Sequence, residues 1–150
     1  MYEEYLTKAL SNIIMARQAL KSYSIVGQKN LKNIASYHTQ QAIEILIKYL
    51  IYNSIGYNKG KSKVNQIYKH NIDYLIQNYC KPLNISIPQK IIKNSRMYSS
   101  WESESRYSLS YSVRVDSIES ALNEVENWII KIKSSYMGKI LGVKRKLGLR

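Results

Sequence analysis

Apolar residues return every three or four positions along most of this chain, the spacing of helices that each bury one stripe. Leu6, Leu10, Ile13, Arg17 and Leu20 alternate by four and three, and four of these five are apolar. They predict a first helix from about Tyr2 to Tyr23, with Glu3 and Glu4 in the turn where the helix dipole favours negative charge. Gly27 follows in a polar connection. A second helix starts near Asn30, a residue suited to an N-cap. Leu31, Ala35, His38, Ala42, Ile45 and Tyr49 form one of its stripes; Ile43, Ile47, Leu50 and Ile51 form another. A helix that is apolar on two faces belongs at the centre of its bundle. It should end between Asn53 and Gly56, and the basic, glycine-containing YNKGKSKVNQ reads as a mobile linker.

The second half continues the pattern in shorter pieces. Ile72, Leu75, Ile76 and Tyr79 predict a third helix from His70 to Tyr79, stopped at Lys81-Pro82 because proline restricts the residue before it. Pro88 suits the opening turn of a fourth helix running through Ile91, Ile92 and Ser95 toward Trp101. In RYSLSYSVRV the period changes: Tyr107, Leu109, Tyr111, Val113 and Val115 alternate with polar residues as a strand would. A single strand has nothing to pair with, so this stretch reads as an extended crossing of the bundle. Asp116 and Glu119 resemble a capping box ahead of Ile118, Leu122, Val125, Ile129, Ile132 and Tyr136. The expected fold is all-α, an up-and-down bundle of four to five helices over residues 1–136. Residues 137–150 hold three glycines and many cations, and read as a basic flexible tail or a helix formed on binding.

Composition narrows the class. At 150 residues the chain suits one domain with its own core, without a metal or disulfide staple. Its one cysteine, Cys80, rules out an internal disulfide framework and fits a reducing, cytoplasmic setting. The start, MYEEYLTKAL, does not read as a secretory leader, and Glu44 and Lys48 interrupt the longest apolar run. No run reaches the ~20 apolar residues of a membrane span. The net charge is +13, concentrated in two regions. Residues 131–150 carry seven basic side chains and no acidic one; residues 59–96 carry eight against the single Asp73. Such fields attract polyanions, RNA and nucleotides among them. A composition rich in Ile, Lys, Asn and Tyr produces the same charge without a binding role, so both readings stand.

The polar residues on the apolar helices carry the chemistry. Glu44 and Lys48 stand four apart, in the order that forms an ion pair on a helix, and as a pair they read as a modest surface contact. Gln40 and Gln41 point about 100° apart, so one of them faces neighbouring helices and needs hydrogen-bond partners there. His38 lies on the apolar stripe and reads as a core histidine. His70 follows a basic loop and reads as a capping or solvated position. Two histidines and one cysteine, at these spacings, match no metal motif, and there is no glycine-rich phosphate loop. Arg106 could pair with Glu102 or reach a phosphate, with nearby tyrosines stacking on bases. Seven serines between Ser99 and Ser112 form either a solvated loop or a hydroxyl-lined surface.

Taken together these elements resemble the HEPN family, the higher eukaryotes and prokaryotes nucleotide-binding domain. Gln41-Ala42, Glu44 and Lys48 look like its Q-A-x-E-x-x-x-K helix. His70, Ile72 and Leu75 are similar to its H-x-L-x-x-L start of the third helix, and Arg106-Tyr107 resembles its R-Y element. Asp116 to Tyr136 corresponds to its last helix. The resemblance implies a helical bundle, a homodimer with its binding surface at the dimer cleft, and either ribonuclease activity or partnership with a small nucleotidyltransferase. It implies Arg106, Tyr107, Gln41, Glu44, Lys48 and His70 as ligand-binding residues, with no metal and no cofactor. Ribonuclease members carry an arginine followed after four to six residues by histidine. Here neither His38 nor His70 follows an arginine at that distance, and beyond Arg106 stand Tyr111, Ser112 and Val113. A tyrosine, with a reference pKa near ~10, is a poor proton acceptor at neutral pH. The expectation is therefore a non-catalytic nucleotide- or RNA-binding protein acting with a partner, in a toxin–antitoxin or defence setting. The rivals are a metal-independent ribonuclease using Arg106 with His38 or His70, and an interaction module whose basic tail docks on an acidic partner.

Overall fold

The computed structural model describes residues 2–64, 70–107 and 113–148, with the side chains of residues 2, 104–107 and 136–145 outside the description. Among the described residues the architecture is all-α, with no strand. α1 spans Tyr2–Val26 and α2 spans Lys29–Ile55. The short helices α3 (Tyr57–Val64), α4 (Ile72–Leu75) and α5 (Gln89–Lys93) follow, then α6 (Ser95–Tyr107) and α7 (Val115–Lys146). A wide π turn, Ile76–Cys80, prolongs α4. No helix among the described residues is long and apolar enough to cross a membrane.

α1 and α2 form an antiparallel hairpin. Gly27 closes α1 at a φ of +74°, a left-handed conformation that glycine adopts without steric cost, and its N–H returns to the Tyr23 carbonyl at 2.8 Å. Tyr5 then packs on Tyr49 and Tyr52, while Asn12 meets His38. α2 is the central helix. Ala35, Ala42, Ile43, Leu46, Ile47 and Ile51 are sealed from solvent around its circumference, and α2 packs against α1, α6 and α7. α7 answers with Ile118, Leu122, Val125 and Ile129, all buried at the predicted spacing. A polar seam ties α1 to α7: Arg17 donates from Nε to Glu126 at 2.9 Å and from its terminal nitrogen to Asn123 at 2.8 Å. Tyr98 and Trp101 bring α6 into the core with ring centroids 5.1 Å apart.

Several boundaries depart from the periodicity. The stretch expected as a mobile linker contains α3, which lies against α2. Gly60 makes that approach possible: a Cβ there would sit 2.6 Å from Cδ1 of Tyr52 and 3.1 Å from its Cα. α2 begins at Lys29 after Gln28 rather than at Asn30. Asn71, not His70, caps α4, its side-chain oxygen accepting from the Tyr74 N–H at 3.0 Å. Asp116 falls inside the first turn of α7, where it faces the helix dipole, instead of at the cap. Tyr107 and Val115, the ends of the alternating stretch, belong to helices α6 and α7; Leu109 and Tyr111 lie outside the described residues. Residues 137–146, the start of the expected basic tail, have helical backbone continuous with α7.

Candidate functional site

α2 places Gln40, Glu44 and Lys48 in one row, each four residues from the next. Because α2 is central, that row is covered by its neighbours. Glu44 keeps only 5% of its side chain exposed and Lys48 12%. The expectation of a modest surface pair is therefore corrected: the carboxylate is buried, and burial requires it to be fully partnered. Three donors meet that requirement. Lys48 Nζ donates to Oε2 at 3.0 Å. Gln40 Nε2 donates to Oε1 at 3.1 Å, and His70 Nδ1 approaches the same oxygen at 2.9 Å. Gln41 extends the chain, its Nε2 donating to the Gln40 side-chain oxygen at 2.7 Å.

His70 arrives from outside α2, immediately before α4. Local bonds hold that entry in place. The Ile72 N–H donates to Ser99 Oγ at 2.9 Å, and Ser95 Oγ on the same helix donates to Asp73 at 3.0 Å. α4 is thus pinned to α6 next to the histidine, and the ring turns back onto Glu44. A carboxylate oxygen can only accept, so Nδ1 carries the proton and Nε2 is the free nitrogen. Its side chain is 45% exposed, and Nε2 has no hydrogen-bond partner among the described residues. The cluster therefore leaves one imidazole nitrogen unengaged on a half-exposed ring, oriented by a buried carboxylate whose charge Lys48 already balances. Such a nitrogen can accept a hydrogen bond when neutral and donate one to an anion when protonated.

Of the six residues singled out from the sequence, Gln41, Glu44, Lys48 and His70 come together here. Arg106 and Tyr107 occupy the last turn of α6, which packs on α2, and their side chains lie outside the described residues. Gln40 is the member that the site residues omitted; its i, i+4 spacing to Glu44 was the available signal. His38 stands apart from the cluster. Its Nδ1 meets the Asn12 side-chain oxygen at 2.8 Å, Asn12 donates its own amide to the Lys8 carbonyl, and burial lowers the imidazole pKa. It is a partnered, half-buried histidine rather than the expected core one. No group of three or more His, Cys, Asp or Glu gathers as a metal site among the described residues.

The family model for the HEPN domain matches residues 2–135. No curated protein and no solved structure matches the chain.

Proposed function

The chain belongs to the HEPN domain family, and from that membership and the Glu44 cluster we propose that it is a non-catalytic, nucleotide- or RNA-binding protein acting with a partner such as a small nucleotidyltransferase. The observation that carries the reading is the buried Glu44 carboxylate held by three donors. A carboxylate so engaged is a holder: it fixes the enclosed Lys48 ammonium beside the half-exposed His70 ring. In the field of a chain with net charge +13, such a fixed pair favours a phosphate-bearing ligand. Lys48 adds positive field, Gln41 and Glu44 keep the geometry, and His70 offers Nε2. Arg106 contacts phosphate and Tyr107 completes the cleft, which two copies of the chain form as a homodimer. The absence of a histidine four to six residues after an arginine supports binding without cleavage.

The test is RNA and nucleotide binding by fluorescence anisotropy, with RNA integrity followed in parallel. The expected result is binding that weakens steeply with salt, leaves RNA intact, and loses about tenfold in Arg106→Ala and in His70→Ala. Absence of binding to either ligand refutes the reading.

One observation favours a second reading, a metal-independent ribonuclease. His70 has its Nδ1 anchored on a buried carboxylate and its Nε2 unengaged on a half-exposed ring, the arrangement of an oriented general base. RNA cleavage abolished by both His70→Ala and Arg106→Ala would establish that reading in place of the first.

A further inference from the structure

The α1–α2 hairpin turns its apolar side chains outward at its tip. Ile25 and Val26, the last two residues of α1, are 76% and 59% exposed. Gly27 reverses the chain directly after them, so both side chains stand at the convex end of the hairpin rather than on the wall of a groove. Cations surround them. Lys21 lies one turn before Ile25 on the same side of α1. Lys29 is exposed at the start of α2, and Lys32, further along it, holds its ammonium 5.1 Å from the centre of the Tyr23 ring. From Tyr5 to Ile43 the sequence has no aspartate or glutamate. Glu126, which α7 supplies to this hairpin, bonds Arg17, about two turns back from the tip.

Aliphatic side chains ringed by lysines, with a tyrosine beside them, are the groups that sort to the boundary between lipid headgroups and acyl chains. Lysine stems follow apolar surface while their ammoniums reach out to charge. Two other occupants fit the tip less well. A second copy would set lysine against lysine. A stable protein interface takes about 800 Å² from each partner, and two side chains on a convex end offer a fraction of that. We propose that the hairpin tip docks the protein on an anionic membrane surface, with Ile25 and Val26 entering the headgroup–acyl boundary and Lys21, Lys29 and Lys32 meeting the lipid phosphates. The contact is with the surface alone, since no helix among the described residues is long and apolar enough to cross a membrane. No residue of the Glu44 cluster lies on the tip, so the proposal stands or falls separately from RNA binding.

The experiment is flotation of the full chain with two kinds of vesicle, one of phosphatidylcholine alone and one of equal phosphatidylcholine and phosphatidylglycerol, at about 0.1 M salt. The expected result is saturable binding to the anionic vesicles and at least about tenfold weaker binding to the neutral ones. Ile25→Ser/Val26→Ser keeps every charge and should lose at least about tenfold on the anionic vesicles. Lys21→Gln/Lys29→Gln should lose about as much. Ile14→Ser/Met15→Ser removes another adjacent exposed pair, from the flank of α1, and should stay within about twofold. Circular dichroism confirms that each variant keeps its helices. Three results would overturn the proposal. Absence of flotation with anionic vesicles would leave the tip to a protein partner. Unchanged binding by Ile25→Ser/Val26→Ser would show adsorption through net charge alone. Equal losses in the two serine double variants would show that the tip is not the contact.

Discussion

Nδ1 of His70 lies 2.9 Å from Oε1 of Glu44, joining two residues 26 positions apart across the junction of α2 and α4. This contact turns an ordinary helical ion pair into a three-donor cluster and sets which face of the imidazole meets solvent.

Glu44→Gln should destabilise the protein by about 3 kcal/mol, because it leaves the enclosed Lys48 ammonium without its counter-charge. Urea denaturation measures the loss. The double variant Glu44→Gln/Lys48→Met should recover most of it, since both charges are then gone. A double variant no more stable than the single one would mean that the ion pair is not the source of the effect.

Gly60→Ala sets two effects against each other. Alanine improves helix propensity by up to about 1 kcal/mol. Its Cβ also collides with the Tyr52 ring and crowds the Tyr52 backbone, and overpacking of this kind costs typically about 1–3 kcal/mol. The collision should win. The expected outcome is a lower Tm, with faster hydrogen exchange confined to α3. A raised Tm would show that α3 shifts freely.

Cys80 should be nearly inert in the folded protein. Burial pushes its thiol up to about 12, so the nucleophilic thiolate is scarce at pH 8. Reaction with a thiol reagent should follow global unfolding and accelerate sharply in urea. The linkage has a definite sign. A raised folded-state pKa contributes stability below the ordinary thiol range, and that stability is lost as pH rises toward 12. Cys80→Ala should flatten this alkaline loss.

His38 works in the opposite direction. Burial lowers its pKa, so the folded state takes up a proton less readily than the unfolded one. The stability it supports is present above the ordinary histidine range and is lost as pH falls through it. Urea midpoints should drop between about pH 7 and pH 5, with a shallower slope in His38→Gln. An unchanged slope would remove His38 from the acid response.

Much of the architecture is legible in the four-and-three spacing. Leu6 and Ile13 on α1, Ala35, Ala42 and Tyr49 of one α2 stripe with Ile43, Ile47 and Ile51 of the other, and Ile118 to Ile129 on α7 are buried as that spacing requires, while Leu31, His38, Ile45 and Leu50 are only half-buried. α3 is not legible, because YNKGKSKV buries only Gly60 and Val64 and depends on its fit against Tyr52. The alternation in RYSLSYSVRV misleads at its edges because Tyr107 and Val115 are end turns of helices, where a two-residue period has no meaning. At the site, the Glu44–Lys48 pair is visible in sequence, but its enclosure is not. A Glu and a Lys four apart look the same on an outer helix as on a central one. The His70 contact is invisible for a different reason: nothing local to NQIYKHNID records a partner on α2.

α2 has one further consequence. The same rod that fills the middle of the core also carries Gln40, Gln41, Glu44 and Lys48, with Leu46 and Ile47 between them. Hydrophobic interior and polar cluster are therefore genetically inseparable. A volume change at Leu46 would tilt the charged row along with the hydrocarbon around it, so drift in one should leave its trace in the other.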